Sequence, residues 1–356
     1  MKNLLRLAGA GAFTLLVLEL FLRFAHSWLL PVAISNEVAT AYHAGWTGIY
    51  DWIPEDHLFR MRPNYSREMS FNGYTWQHRT DSRGLRHPRE IDSAPVVLLG
   101  DSMIYGHGVE QGDTVREQLE KILDVPVANL GLQGGSIHTA YQMLEDPGLS
   151  FAPRVAIFFF LKNDLHDLVQ AFTQEEMFGV IRAAPGPLEV DYLVPRSRSG
   201  WELVREKLGG FYTVRAVVTL VRLAYPSFGR AREAHAAEPL LWQSDREQLA
   251  MAVHNEILRR LNRLAAANDI RLLHVFIETG YEAPRERMFK QILNSVCIEE
   301  GIPFLDLGVA TGAAEALGVE PFLPRDGHFS ADGARVVAKA IAEWIEVQRL
   351  DLQPRT

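Results

Sequence analysis

The heptapeptide Val96-Val97-Leu98-Leu99-Gly100-Asp101-Ser102 decides the fold of this chain. Four consecutive apolar residues closed by a glycine have the composition of a strand buried on both faces, the kind found in parallel sheets. Parallel sheets bind ligands beyond the carboxyl ends of their strands. A serine at that position is placed to be a nucleophile if a base reaches it. The competing reading of Asp-Ser is a helix N-cap, so the tripeptide alone does not establish chemistry.

Downstream, the pattern repeats. Residues 114–123 have helical spacing, 125–130 read as a strand, 136–144 as a helix and 155–161 as a third, very apolar strand. After an insertion at about 170–245, which contains Pro185, Pro187, Pro195 and the apolar stretch 211–224, the alternation resumes. Residues 245–268 read as an amphipathic helix, 271–277 as a strand, 285–299 as a helix and 303–307 as a strand. A closing helix over 331–347 has Ser330 as its N-cap. Alternating strands and helices imply a parallel sheet covered on both faces.

Upstream, residues 31–91 read as a connector and a small β region, in which Phe71-Asn72-Gly73-Tyr74 carries a two-residue hairpin signal. Residues 1–30 stand apart. Lys2 and Arg6 precede an apolar run broken only by Glu19 and Arg23. Taken as one helix, 7–30 reaches about 36 Å, long enough to cross a bilayer core. Glu19 and Arg23 are four apart and can pair. Without a clear cleavage site the run reads as a retained anchor. Basic residues before it and acidic residues after it place residue 1 in the cytoplasm and the bulk of the chain outside. The competing reading is a buried N-terminal helix of a soluble protein.

Composition bounds the function. The 356 residues are 47% apolar and 22% charged, as in ordinary globular chains. A net charge of −8 leaves no basic field for nucleic acid. One cysteine, Cys297, excludes intramolecular disulfides and cysteine-based metal clusters.

Four strand-end loops carry the chemistry. The first presents Ser102. The second, Asn129-Leu130-Gly131-Leu132-Gln133-Gly134-Gly135, offers glycine N–H donors and fits neither phosphate-binding fingerprint. The third, Lys162-Asn163-Asp164, offers a carboxamide that can donate to an oxyanion. The fourth, Arg325-Asp326-Gly327-His328-Phe329-Ser330, offers a base and an orienting carboxylate. Each alone reads more simply as a cap, a turn or a surface loop. Together they supply nucleophile, base, orienter and oxyanion donors for acyl transfer. His107, His138 and His166 lie near these loops, but without ligand spacing they read as loop residues.

In this order the four blocks resemble the SGNH (GDSL-type) serine hydrolases over roughly residues 80–347. Leu99-Gly100-Asp101-Ser102 is similar to the family's first block, and Gly134 matches the glycine that ends the second. Leu161-Lys162-Asn163-Asp164 matches the third, with leucine where glycine is usual. In the last block the acid stands two residues before the histidine instead of three, with Arg325 at the usual acid position. That shorter spacing, the anchor and Arg83-Gly84-Leu85-Arg86 resemble a membrane-anchored bacterial branch linked to polysaccharide or lipid acyl-ester modification.

The resemblance implies a three-layer α/β/α fold with a mostly parallel, flavodoxin-like central sheet, formed by a catalytic domain over 92–349. It implies a serine esterase with catalytic Ser102, Asp326 and His328. The oxyanion hole would comprise Ser102, Gly134 and Asn163, and no metal or organic cofactor would be needed. Expected partners are an acyl or acetyl ester of a glycan or lipid and, through 1–30, the bacterial inner membrane, with the domain on its outer side. The alternatives are an O-acyltransferase on the same scaffold, modifying an exported polysaccharide, and a non-catalytic assembly factor with a silent site.

Overall fold

The computed structural model describes residues 2–29, 48–53, 58–71, 74–172, 174–182, 211–214, 216–217, 245–279, 283–324 and 326–353. The N-terminal run forms helix α1 (Lys2–Leu29). Arg23 Nε donates to Glu19 Oε1 at 3.0 Å, the pair that their spacing suggested. Glu19 also accepts the backbone N–H groups of Tyr212 at 3.0 Å and Thr213 at 2.9 Å. Among the described residues no helix is long and apolar enough to cross a membrane. The span expected over 7–30 lies partly outside the described residues. Most of the insertion at 170–245 lies outside them too.

Two small antiparallel ladders follow. Strands β1 (Tyr50–Ile53) and β2 (Leu58–Met61) pair, as do β3 (Ser66–Phe71) and β4 (Tyr74–Arg79). In the second ladder Phe71 stands opposite Tyr74, the register a two-residue loop imposes. Asn72 and Gly73 themselves lie outside the described residues.

The α/β part runs through strand β5 (Val96–Leu99), helices α2 (Ser102–Tyr105) and α3 (Val115–Leu123), and strand β6 (Val127–Asn129). It continues with α4 (Ile137–Glu145), β7 (Val155–Phe160), α5 (Asn163–Ala171), α6 (Gln174–Arg182) and α7 (Asp245–Ala267). The last elements are β8 (Arg271–Phe276), α8 (Ala283–Glu299), β9 (Phe304–Asp306), α9 (Gly308–Ala316) and α10 (Ala331–Val347). Ser330 caps α10, its hydroxyl accepting the Gly333 N–H at 2.9 Å.

The five strands form one parallel sheet in the order β6-β5-β7-β8-β9. By appearance in the sheet this is 2-1-3-4-5, the flavodoxin-like order. Successive side chains of a strand point to opposite faces, and two cores result. Val96, Leu98, Val155, Ile157 and Phe159 pack with Leu119 of α3 and Ile341 of α10. Val97, Leu99, Ala156, Phe158 and Phe160 pack with Leu144 of α4 and Ile257 of α7. Phe158, Phe159 and Phe160 are wholly buried. Each such side chain contributes roughly 1.5–3 kcal/mol by leaving water, which explains the unbroken apolar run. In this strand order the crossovers diverge between β5 and β7. The loops after those two strands carry Ser102 and Asn163, so both emerge at the crevice where open α/β sheets bind ligands.

Candidate active site

Asp101 and Ser102 divide two jobs between them. The Asp101 carboxylate accepts the Met103 N–H at 2.9 Å and caps α2. This is the capping role an Asp-Ser pair suggests, but it occupies only the aspartate. The Ser102 hydroxyl faces His328 and donates to Nε2 at 2.7 Å. On the far side of the imidazole, His328 Nδ1 is in direct hydrogen-bond contact with Asp326 Oδ1. The structure thus brings Ser102, His328 and Asp326 into one line across 226 residues of sequence.

The short spacing between Asp326 and His328 is met by the residue between them. Gly327 has φ +86°, in the left-handed region that side chains with a Cβ rarely enter. The turn is held by Asp326 N–H and Gly327 N–H, both donating to Leu323 O at 3.1 Å. Asp326 ends with its side chain 1% exposed against 19% for His328. Arg325 lies outside the described residues.

The second loop packs tightly on the first. A Cβ at Gly131 would stand 2.5 Å from the Tyr105 nitrogen, and Leu132 N–H donates to Gly100 O at 3.0 Å. Gly134 has φ +68°, with open space where a Cβ would be. Its neighbour Gln133 reaches the site, its amide 2.9 Å from His107 Nδ1.

Asn163 opens α5 immediately after β7. Its Nδ2 donates to Asp101 Oδ2 at 3.1 Å and to Asp167 Oδ2 at 3.3 Å. An oxyanion would compete with these carboxyls for the Asn163 protons. Burial raises the Asp101 carboxyl above its ordinary range. Burial and the neighbouring Asp101 push Asp167 up to about 7. Asp164, wholly buried, is held well above the usual carboxylate range by desolvation and by both neighbours. Two acids therefore accept from one carboxamide on this flank, with a third, Asp164, close to both.

Of the three histidines read as loop residues, His166 is exposed on α5. His138 is buried in α4, where it meets the Ser136 hydroxyl at 2.7 Å and the edge of Phe172. His107 was missed. Its ring stacks on His328, centroids 4.0 Å apart at 22°, and its Nε2 lies 3.8 Å from Asp326 Oδ2. The sequence signal was the pair of glycines around it, Gly106 (φ +90°) and Gly108 (φ +78°). Ligand-type atoms of His107, Asp326 and His328 lie within 4.8 Å of one another. Those of His328 are already engaged by Ser102 and Asp326, so hydrogen bonding accounts for the cluster.

The small β region is part of the site's support. The Tyr74 hydroxyl donates to Pro324 O at 2.7 Å, bracing the loop of Asp326. Trp76 packs on His107, centroids 4.6 Å apart. Arg86, wholly buried, donates to the carbonyls of Tyr105, Gly106 and Val109 and so fixes the loop that carries His107.

No protein-family model and no curated protein matches the sequence. Solved structures similar to this chain include a member of the lipolytic protein G-D-S-L family from Veillonella parvula, with 13% identity and a TM-score of 0.39, the match covering 70% of this chain and 96% of that one. The psychrotrophic esterase EstA of a Pseudoalteromonas species is 11% identical at a TM-score of 0.41, covering 71% and 97%. A lipase/acylhydrolase from Enterococcus faecalis is 16% identical at a TM-score of 0.41, covering 73% and 98%.

Proposed function

We propose that this chain is an SGNH-type serine esterase that hydrolyses acyl or acetyl esters. The observation that carries the reading is the continuous contact from Asp326 through His328 to the Ser102 hydroxyl. In the proposed reaction Ser102 Oγ attacks the ester carbonyl while His328 Nε2 takes its proton. The tetrahedral intermediate collapses, and the same proton passes to the leaving alcohol. Water, deprotonated by His328, then releases the acid from Ser102. Asp326 holds the ring with Nδ1–H toward itself and balances the imidazolium. The backbone N–H groups of Ser102 and Gly134, with the Asn163 amide, stabilise the oxyanion. A donor of this kind contributes about 3–4 kcal/mol to the transition state.

The proposal places the enzyme at the bacterial inner membrane, facing outward, with α1 as its attachment. What supports this is the surface of α1. Phe13, Leu15, Leu16, Val17, Leu18, Leu20, Phe21 and Phe24 are all exposed, a larger apolar surface than a soluble domain ordinarily presents to water. The charges within the run are paired, as burial in lipid requires.

The test is turnover of short nitrophenyl esters by the purified full chain and by Ser102→Ala. The variant should keep the melting temperature and lose activity. Undiminished activity in the variant would refute the reading. Fractionation tests the membrane part: extraction by detergent and not by high salt is expected, and release by salt alone would contradict it.

A further inference from the structure

We propose that His107 is a positioning residue of this site, steadying the Asp326 carboxylate beside His328, on whose ring it stacks. The inference rests on the esterase reading and adds a residue to it.

Asp326 stands two residues before the histidine it serves, and the Gly327 turn swings its side chain back. A carboxylate reached through so tight a turn has one oxygen on His328 Nδ1, and its other oxygen is the one nearer His107. His107 Nε2 stands 3.8 Å from Asp326 Oδ2, longer than a hydrogen bond, so the contact is electrostatic. The tautomer follows from the neighbours. Gln133 presents its amide nitrogen to His107 Nδ1 at 2.9 Å and donates there, so the ring proton sits on Nε2, toward the carboxylate. The Gln133 backbone is held in turn by the Tyr50 hydroxyl, which donates to its carbonyl at 3.2 Å.

The ring also has to be neutral. A second imidazolium stacked 4.0 Å from His328 would oppose the charge His328 takes up in the reaction. The groups facing His107 are His328, Asp326, Gln133, Trp76 and Arg86. Burial, followed by the charge of His328, lowers the His107 pKa to about 3, which keeps the ring neutral across the working range. The loop is built to deliver it. Gly106 and Gly108 take left-handed conformations on either side of His107, and a Cβ at Gly108 would stand 2.4 Å from Leu323 Cδ1, in the loop leading to Asp326.

Two substitutions separate positioning from packing. His107→Phe keeps the flat ring and loses the donor. His107→Gln loses the ring and can bring an amide N–H to the same place. The full chain is assayed with a nitrophenyl ester, and the downfield proton resonance of His328 Nδ1–H, assigned by its loss in Asp326→Asn, is recorded by NMR. His107→Phe should lower kcat by about 2- to 10-fold, the effect of one polar contact weaker than a hydrogen bond to a full charge, with KM unchanged and the resonance shifted or broadened. His107→Gln should restore most of kcat and the resonance. Gln133→Leu should give a smaller loss in the same direction, and it carries the test if His107→Phe fails to fold. Wild-type behaviour in His107→Phe, or the reverse ranking with Gln worse than Phe, would overturn the proposal. Should the wild type lack turnover altogether, the esterase reading fails, and the resonance still decides whether His107 holds Asp326.

Discussion

The two flanks of Ser102 handle charge in opposite ways. On one, Asp326 meets His328, and the neutral His107 stacks beside that ring with Nε2 3.8 Å from the second carboxylate oxygen. A charge that appears on His328 there has a partner already in place. On the other flank, Asp101 and Asp167 accept from Asn163 and Asp164 lies close by; burial holds all three carboxyls above their ordinary range, with charge repulsion adding to it for Asp164 and Asp167. Protons are held more tightly there than in water, because burial disfavours the charged form. This serine thus sits between a preorganised His–Asp hydrogen bond and a set of acids that burial makes harder to ionise.

The sharpest way to break the comparison is on the paired flank. Asp326→Asn keeps the shape of the side chain and favours the wrong tautomer of His328. By the serine-protease precedent the loss in kcat is about 10⁴. A loss under about tenfold, measured at saturating ester, would leave Ser102 and His328 as a dyad and remove Asp326 from the account.

On the acidic flank the expected effects are smaller. Asn163→Ala should reduce kcat by about 10²–10³ through loss of one oxyanion donor. A change confined to KM would make it a substrate-binding residue.

Asp167 sharpens the comparison through pH. Its folded pKa of about 7 lies above the 3.8 of the exposed group. Between those values the folded state binds more protons than the unfolded one, so this group's contribution to stability falls as pH rises from about 4 to 7. Asp167→Asn removes that penalty. It should raise the melting temperature at pH 8 and leave it nearly unchanged at pH 4. An equal shift at both values would assign the effect to packing. The same substitution should remove any inflection near pH 7 in kcat, since an ionised Asp167 competes with the oxyanion for the Asn163 amide.

The mildest change to catalysis is expected from removing residues 1–30. The variant should leave the membrane fraction and keep kcat on small esters, because the described contacts of the triad come from residues after 73. A large fall in kcat would show that α1 supports the site. The Glu19 carboxylate, bonded to Tyr212 and Thr213, is the contact through which that support would run.

Much of the sheet was legible because its signals are local. Runs such as Val96–Leu99 and Val155–Phe160 are apolar on both faces, and only a covered parallel sheet accommodates them. Three of the four loops were legible because they follow strands of one parallel sheet; the fourth, read as a strand end, instead joins α9 to α10 and was legible through its residue types alone. The Asp326 turn was legible through Gly327, whose freedom can be read from its type. What could not be read depends on contacts without a local pattern. Tyr74 reaches Pro324 across 250 residues, so the β3–β4 ladder, within the stretch read as a connector and small β region, becomes a buttress. His107 looked like a loop histidine because its partners, Gln133 and Asp326, lie 26 and 219 positions away. Asp167 carried no signal at all, since one acid on an amphipathic helix reads as a solvated face until burial is known.

The claim that Ser102 is the nucleophile is tested most directly by covalent labelling. The full-length protein is treated with a fluorophosphonate, and the adduct is located by mass spectrometry of its peptides. The account predicts one adduct, on Ser102, absent in Ser102→Ala and formed far more slowly in Asp326→Asn. A folded protein that takes no label, or one whose label lies elsewhere and persists in Ser102→Ala, would contradict it.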